Sequence, residues 1–549
     1  MKLHTAFYAA IAAATAILAS APAAAFAAEE IARGVVFEDT NGDGRRDEDE
    51  RGLEDVCVSN GLKIVKTDAE GRYELSVDED TILFVIKPRN WQTAIDELNM
   101  PRFYYIHKPE GSPDENFVYK GVAPTGPLPE SVDFPLTKSP EPKRFSVVVM
   151  GDPQPINTRQ VHFYANDTIA ELLGTTARFG ISMGDLVGDD LDLFGAVNKV
   201  QATVGIPWYN VHGNHDQNYR APDDKHADET FERVYGPATY AFEYGEVHFI
   251  ILDNVHWRGF AGDDADGKPY TGNYQGRLSE AQLEFVKNYI ATAPTEHRVV
   301  ICTHIPLPLY RDELAQHSTL EYRQLLEILS THPHTLSLSA HMHTTQQFFA
   351  GADEGYKPEA KTEHHHANVA TGSGSWFRGP IDEQGFPVAT MSDGTPNGYV
   401  VATFDGRDYS LRYKAARMPA DYQMAIHAPL EVEAAAAGNT EIVANVFQGN
   451  EKSRVRLRVR SNGSGKNDAG DWTTMEQRPG RDPGYVALHR RDAALPTPGQ
   501  NRLPDPVLTT HLWVGKLPAD LSPGVHVVEV ETTDMFGQKD RAQRLIEVR

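Results

Sequence analysis

The stretch I-P-W-Y-N-V-H-G-N-H-D, residues 206–216, decides the fold. An apolar run that stops at Gly213 and then delivers Asn214, His215 and Asp216 reads as a β-strand opening into a polar loop. An amide oxygen can take a metal ion and the adjacent imidazole can pass a proton, so the loop reads as the mouth of a metal-assisted hydrolase. Other segments repeat this grammar. F-S-V-V-V-M-G-D ends in Asp152, with Gln154 close behind, and F-G-I-S-M-G-D ends in Asp185. H-R-V-V-I-C-T-H ends in His304, and T-L-S-L-S-A-H-M-H ends in His341 and His343. Helical patterns alternate with these runs. In L-S-E-A-Q-L-E-F-V-K-N-Y-I, Ser279 and Gln282 form a capping box and Leu283, Val286 and Ile290 an apolar stripe. A layered α/β domain with its site at the strand C-terminal ends is the expectation.

Taken in order, Asp152 and Gln154, Asp185, Asn214 with His215, His304, and His341 with His343 form a series that resembles the calcineurin-like metallophosphoesterases. Their pattern is DxH, GD, GNH followed by an acid, a later His, and GHxH, and the resemblance spans most of residues 145–415. It implies a four-layer α/β/β/α sandwich, here flanked by two all-β sandwich domains, that hydrolyses phosphoesters with two divalent metal ions, whether manganese, magnesium, iron or zinc. Carried over by motif, Asp152, Gln154, Asp185 and His343 hold one ion, and Asp185, Asn214, His304 and His341 the other, with Asp185 shared. A water activated between the ions would attack phosphorus, His215 would protonate the leaving oxygen or steady the phosphoryl group, and Asp216 would orient His215. His341 and His343 are spaced to share one strand face, so a loop must splay them toward different ions.

Two positions depart from the pattern. Gln154 replaces the usual His, and Ala340 replaces the Gly before HxH. An amide oxygen is harder than imidazole and weakens the preference for zinc relative to manganese or magnesium. The run G-D-P-Q resembles one branch of the family. Gly188 stands where purple acid phosphatases carry an iron-binding Tyr, so no tyrosine-ligated ferric centre is expected. Trp376, Arg378, Asp393 and Asn397 lie in Gly/Pro-rich loops that either border the metals and substrate or are packed turns. His364, His365 and His366 look like a metal clamp, but successive strand residues alternate in direction, and a solvated loop is the expectation.

The flanks read differently. Lys2 precedes an Ala-rich apolar run that closes on Ala25-Phe26-Ala27, so residues 1–27 are expected to be a signal peptide and the mature protein to be secreted or periplasmic, with no transmembrane segment after processing. Residues 30–138 read as an N-terminal β-sandwich. Within it Asp39, Asn41, Asp43, Arg45, Asp47 and Glu50, with Gly44, follow the spacing of a calcium loop, the alternative being an acidic turn. The runs Gly34 to Asp43, Val56 to Gly61 and Thr67 to Leu75 resemble transthyretin-like repeats of bacterial surface proteins. A polar linker, Ser139 to Arg144, leads into the phosphoesterase domain, residues 143–417. Residues 420–549 read as spaced strands of an Ig-like sandwich in which helices cease. Cys57 and Cys302 are expected to be buried free thiols.

Charge narrows the partners. With 52 Lys and Arg against 77 Asp and Glu, the net charge of -25 opposes attraction to a nucleic acid scaffold or an anionic membrane. A small phosphoester or a phosphorylated macromolecule is the expected substrate. The competing reading is a surface binding protein with a vestigial phosphoesterase centre.

Overall fold

A computed structural model describes residues 30–113, 117–308, 316–461, 470–495 and 502–549. The expected signal peptide and most of the polar loop after Ser461 lie outside the described residues. The central domain is built on two sheets. In the five-stranded sheet, Arg144–Met150, Phe179–Ser182 and Trp208–Asn210 run parallel, and Gly398–Asp405 with Asp408–Ala415 close the far edge antiparallel. In the six-stranded sheet, Val247–Ile251, Arg298–Cys302, Thr335–Ser339 and His364–Asn368 are parallel, with antiparallel edges at Tyr240–Tyr244 and Gln346–Ala350.

The strands are apolar on both faces because each sheet is covered on both. Between the sheets aromatic rings interlock: Tyr209 stacks on Phe242 with centroids 3.9 Å apart, and Phe179 meets Phe249 edge-on at 5.4 Å. Outside, helices Thr158–Asp167 and Phe194–Ala202 cover the first sheet through Val161, Tyr164, Phe194 and Val197. Glu280–Ile290 and Tyr322–Leu329 cover the second through Phe285, Val286, Leu325 and Leu326. This is the four-layer α/β/β/α sandwich. The Ser279–Gln282 capping box forms as expected. Beyond Asp167 the chain tightens into a short 3-10 turn, Ile169–Leu172.

The histidine run corrects its expectation. His364, His365 and His366 lie in a buried strand, in neither a solvated loop nor a metal clamp. Their side chains alternate as a strand requires. His364 and His366 share the Ser337 hydroxyl at 2.7 Å, and His365 faces Tyr409 and Gln347. Hydroxyls from the neighbouring strand satisfy His364 and His366, and Tyr409 and Gln347 satisfy His365, which makes burial tolerable; burial pulls the His364 and His366 pKa values down to about 3.

The N-terminal module pairs a five-stranded sheet with a four-stranded one. It is pinned to the core by buried ion pairs. Lys87 bonds Glu141 of the linker at 2.6 Å and the Glu243 carbonyl at 2.7 Å, while Lys108 sits among Asp80, Glu229 and Glu232. In the acidic loop, Asp39 and Glu50 are buried and accept backbone N–H groups of Gly42, Gly44, Thr40 and Asp47. Asn41 and Asp43 accept the amides of Asp43 and Arg45, and Asp47 accepts the Asn41 side chain.

The C-terminal module pairs a four-stranded sheet with a five-stranded one around Ile442, Leu457, Trp513 and Val528. The expectation that helices cease here is corrected by Pro483–Ala494. Asp482 caps this helix by accepting the Tyr485 N–H at 2.6 Å, and Pro483 opens its first turn. Cys57 and Cys302 are buried free thiols. Among the described residues no helix is long and apolar enough to cross a membrane.

Candidate metal centre

The C-terminal ends of the parallel strands converge where the two sheets face one another. Met150 leads to Asp152, Ser182 to Asp185, Asn210 to Asn214, Cys302 to His304, and Ser339 to His341 and His343. Asp152, Gln154, Asp185, His341 and His343 all adopt positive φ, between 32° and 69°. For non-glycine residues this is strained backbone, which clusters at functional sites. It turns His341 and His343 off strand geometry, as their spacing requires. Glycine permits the close approaches behind them. A Cβ on Gly213 would stand 2.0 Å from the Asp185 nitrogen, and one on Gly184 2.5 Å from His304 Nδ1. Ala340 is absent from the positive-φ residues, so its methyl group is accepted where the family carries Gly.

The side chains gather around His304 Nε2, which lies 3.0 Å from Asn214 Oδ1, 3.1 Å from His341 Nδ1 and 3.3 Å from Asp185 Oδ1. Spacings of about 3 Å are the edges of a coordination shell with metal–ligand bonds of about 2.1 Å. His304 Nδ1 donates to the Met183 carbonyl at 2.8 Å, which leaves Nε2 as the lone pair. His343 Nδ1 likewise donates to the Gly374 carbonyl. The Asp185 carboxylate lies between two groups: Oδ1 faces His304, and Oδ2 lies 3.2 Å from the Gln154 amide nitrogen. Asp152 accepts the His341 N–H at 2.9 Å. Gln154 Oε1 is buried without a hydrogen-bond partner, as is His341 Nε2. An unsatisfied buried oxygen among two carboxylates, an amide and imidazole lone pairs fits divalent cations.

His215 stands beside this set, partly exposed. Its Nδ1 is 2.5 Å from Asp189 Oδ1, and its Nε2 is 4.0 Å from Asp185 Oδ2. Burial works against its charge, but Asp185 and Asp189 raise its pKa to about 9. Asp216 does not orient this ring, which corrects the sequence expectation. Its carboxylate instead accepts the N–H groups of Leu186, Val187 and Gly213, at 3.1, 3.2 and 3.0 Å, tying the Asp185 loop to the Asn214 loop. Asp189 takes the expected place. Tyr219 braces it, its hydroxyl 2.5 Å from Asp189 Oδ1 and 2.8 Å from the Asn214 carbonyl. An acid in the loop just after the Gly-Asp motif was the available signal for Asp189.

Calcineurin-like phosphoesterase is the description of the family model that matches residues 145–345. Models for the N terminal and C terminal of calcineurin-like phosphoesterase match residues 40–122 and 363–539. The chain belongs to this family. No curated protein matches it. Among solved structures it is similar to a dimetal phosphatase from Danio rerio at 12% identity and TM-score 0.34, covering 49% of this chain and 96% of that one. It is also similar to a purple acid phosphatase from yellow lupin (Lupinus luteus) seeds at 13% identity and TM-score 0.36, covering 66% and 67%.

The loops around this candidate centre divide. Trp376 stacks on His343, with ring centroids 4.0 Å apart, and the Arg378 guanidinium lies 5.0 Å from the Trp376 ring centre. On the opposite side His317 and Tyr274 approach His341, with centroids 5.7 and 6.0 Å away. Tyr274 opens the short strand Tyr274–Gly276 and His317 lies on a connecting segment, and nothing local in the sequence marks either. Asp393 and Asn397 do not border the centre, which corrects their candidacy. Asp393 accepts the Thr345 N–H at 2.7 Å and lies 3.1 Å from His511 of the C-terminal module. Asn397 donates to Asp167 at 2.6 Å. Both are buried packing ties.

Proposed function

We propose that the protein is an exported phosphoester hydrolase working with two divalent cations. The observation that carries this reading is the Asp185 carboxylate, set between the His304 group and Gln154 with one oxygen toward each. Asp152, Gln154, Asp185 and His343 would hold one ion, and Asp185, Asn214, His304 and His341 the other. When bound, the pair supplies Lewis acidity, which activates water as nucleophile and neutralises phosphoryl oxygens. The chain's own residues do the rest. His215 delivers a proton to the leaving oxygen from Nε2, and Asp189, braced by Tyr219, fixes the ring through Nδ1. Asp216 keeps the two ligand loops in register.

Export is supported by the Ala-rich segment ending at Ala27. The spacing of the acidic loop from Asp39 to Glu50, with its first and last carboxylates buried, supports calcium in the N-terminal module. We read the two flanking sandwiches as transthyretin-like and Ig-like supports.

A metal-supplemented assay with a chromogenic phosphomonoester and a diester tests the activity. Turnover by the native chain and its loss in Asn214→Ala are expected. Equal rates in both would remove the proposal.

A further inference from the structure

We infer that Arg378 and Trp376 form a subsite for a second anionic group of the substrate, one indole layer away from the metal centre. This rests on the dimetal reading above.

Arg378 is part-buried and still lacks an acidic partner among the described residues. Acidic residues outnumber basic ones, 77 to 52, yet among the described residues its guanidinium makes no hydrogen bond and no ion pair. Its Nε is buried and unpartnered. A neighbouring arginine behaves ordinarily: Arg417 bonds both Asp167 and Asp382 at 2.5 Å. Leaving the buried Nε unpaired is costly, and burial pulls the Arg378 pKa below its usual value against a small opposing pull from Tyr485.

The group is also held in place. Trp376 and Phe377 adopt φ of 56° and 51°, the Arg378 N–H donates to the Ser375 carbonyl at 3.0 Å, and the Arg378 carbonyl accepts the Ala389 N–H at 3.0 Å. Leu503 of the C-terminal module backs Gly379, leaving only 3.0 Å for a Cβ there. Strained backbone and a supporting module are what a preorganised binding group needs.

The stacking order selects the ligand. Trp376 packs on His343, and Arg378 packs on Trp376, so the recorded contacts link the guanidinium to the candidate ligand through the indole. Arg378 therefore takes an anion other than the scissile phosphoryl group. Its planar donor fork suits a phosphate or a carboxylate. The substrate class is a phosphoester bearing one of these beyond the reacting phosphorus.

Binding of non-hydrolysable probes to the metal-loaded full chain, measured by calorimetry with metal content determined in parallel, tests this. Methylphosphonate offers one anion, phosphonopropionate adds a carboxylate, and propylene diphosphonate adds a second phosphonate. The native chain should favour at least one two-anion probe over methylphosphonate by about tenfold or more, the order of a charge-assisted hydrogen bond. Arg378→Gln should erase that preference and leave methylphosphonate affinity and metal content unchanged, and Arg378→Lys should restore part of it. The stronger of the two-anion probes identifies the group as carboxylate or phosphate. A preference that survives Arg378→Gln, or equal affinity of all probes for the native chain, overturns the subsite while leaving the dimetal reading intact. Absence of bound metal and of any phosphonate binding overturns both.

Discussion

His215 Nδ1 lies 2.5 Å from Asp189 Oδ1, in a chain where Asp216, the acid next to His215, bonds only backbone amides of the ligand loops. The two acids therefore separate by experiment. Asp189→Asn should lower kcat by roughly ten- to a hundredfold, and His215→Gln by roughly a hundred- to ten-thousandfold, with KM little changed. The loss should grow with the pKa of the leaving alcohol, because the missing step is its protonation. Asp216→Asn should instead lower the melting temperature and the metal content together. A His215→Gln rate independent of the leaving group would refute the acid role.

Elemental analysis of the reconstituted protein should find about two transition-metal or magnesium ions per chain, and chelation should abolish turnover. Gln154→Ala and Asn214→Ala should each retain about one. Gln154→His should shift selectivity toward zinc, since imidazole is softer than an amide oxygen. Competition between manganese and zinc reads this directly.

Asp482 links stability to pH. Burial raises its pKa, but His427 at 2.7 Å, with the Tyr485 N–H and Asn445, brings it below the ordinary value. The carboxylate thus stabilises the folded chain above its unfolded pKa of about 3.9, and that stability is lost as pH falls through the lower folded value. At neutral pH Asp482→Ala should cost about 2 kcal/mol through lost capping and unpaired buried partners. The gap to the native chain should narrow at pH values below about 4. Urea unfolding of the C-terminal module at both pH values measures it.

Calcium should raise the unfolding temperature of the N-terminal module, chelator should reverse the shift, and Asp39→Asn should suppress it. Scanning calorimetry resolves that transition. No shift would make the segment from Asp39 to Glu50 an acidic turn held by its own amides.

Much of the architecture was legible because it is written locally. Apolar runs ending in Asp152, Asp185, Asn214, His304 and His341 encode parallel strands with polar ends, and the Ser279–Gln282 box encodes a helix start. The buried histidine strand was not legible. Three imidazoles look solvated until Ser337 and Ser339 arrive from a neighbouring strand to pair with His364 and His366, and Tyr409 and Gln347 to pair with His365. The C-terminal helix was hidden because its stripe is weak, and its cap Asp482 is fixed by distant His427 and Asn445.

The stretch from Gly213 to Asp216 carries both halves of this. By itself the sequence determined the residue types of the centre and their order at strand ends, because ligand chemistry and strand periodicity are properties of single residues and their near neighbours. Only the tertiary structure decided which acid serves His215, that Trp376 covers His343, and that the buried Arg378 Nε finds no hydrogen-bond partner among the described residues. Those are contacts between loops from different strands. Their distances depend on how two sheets pack, which no local pattern records.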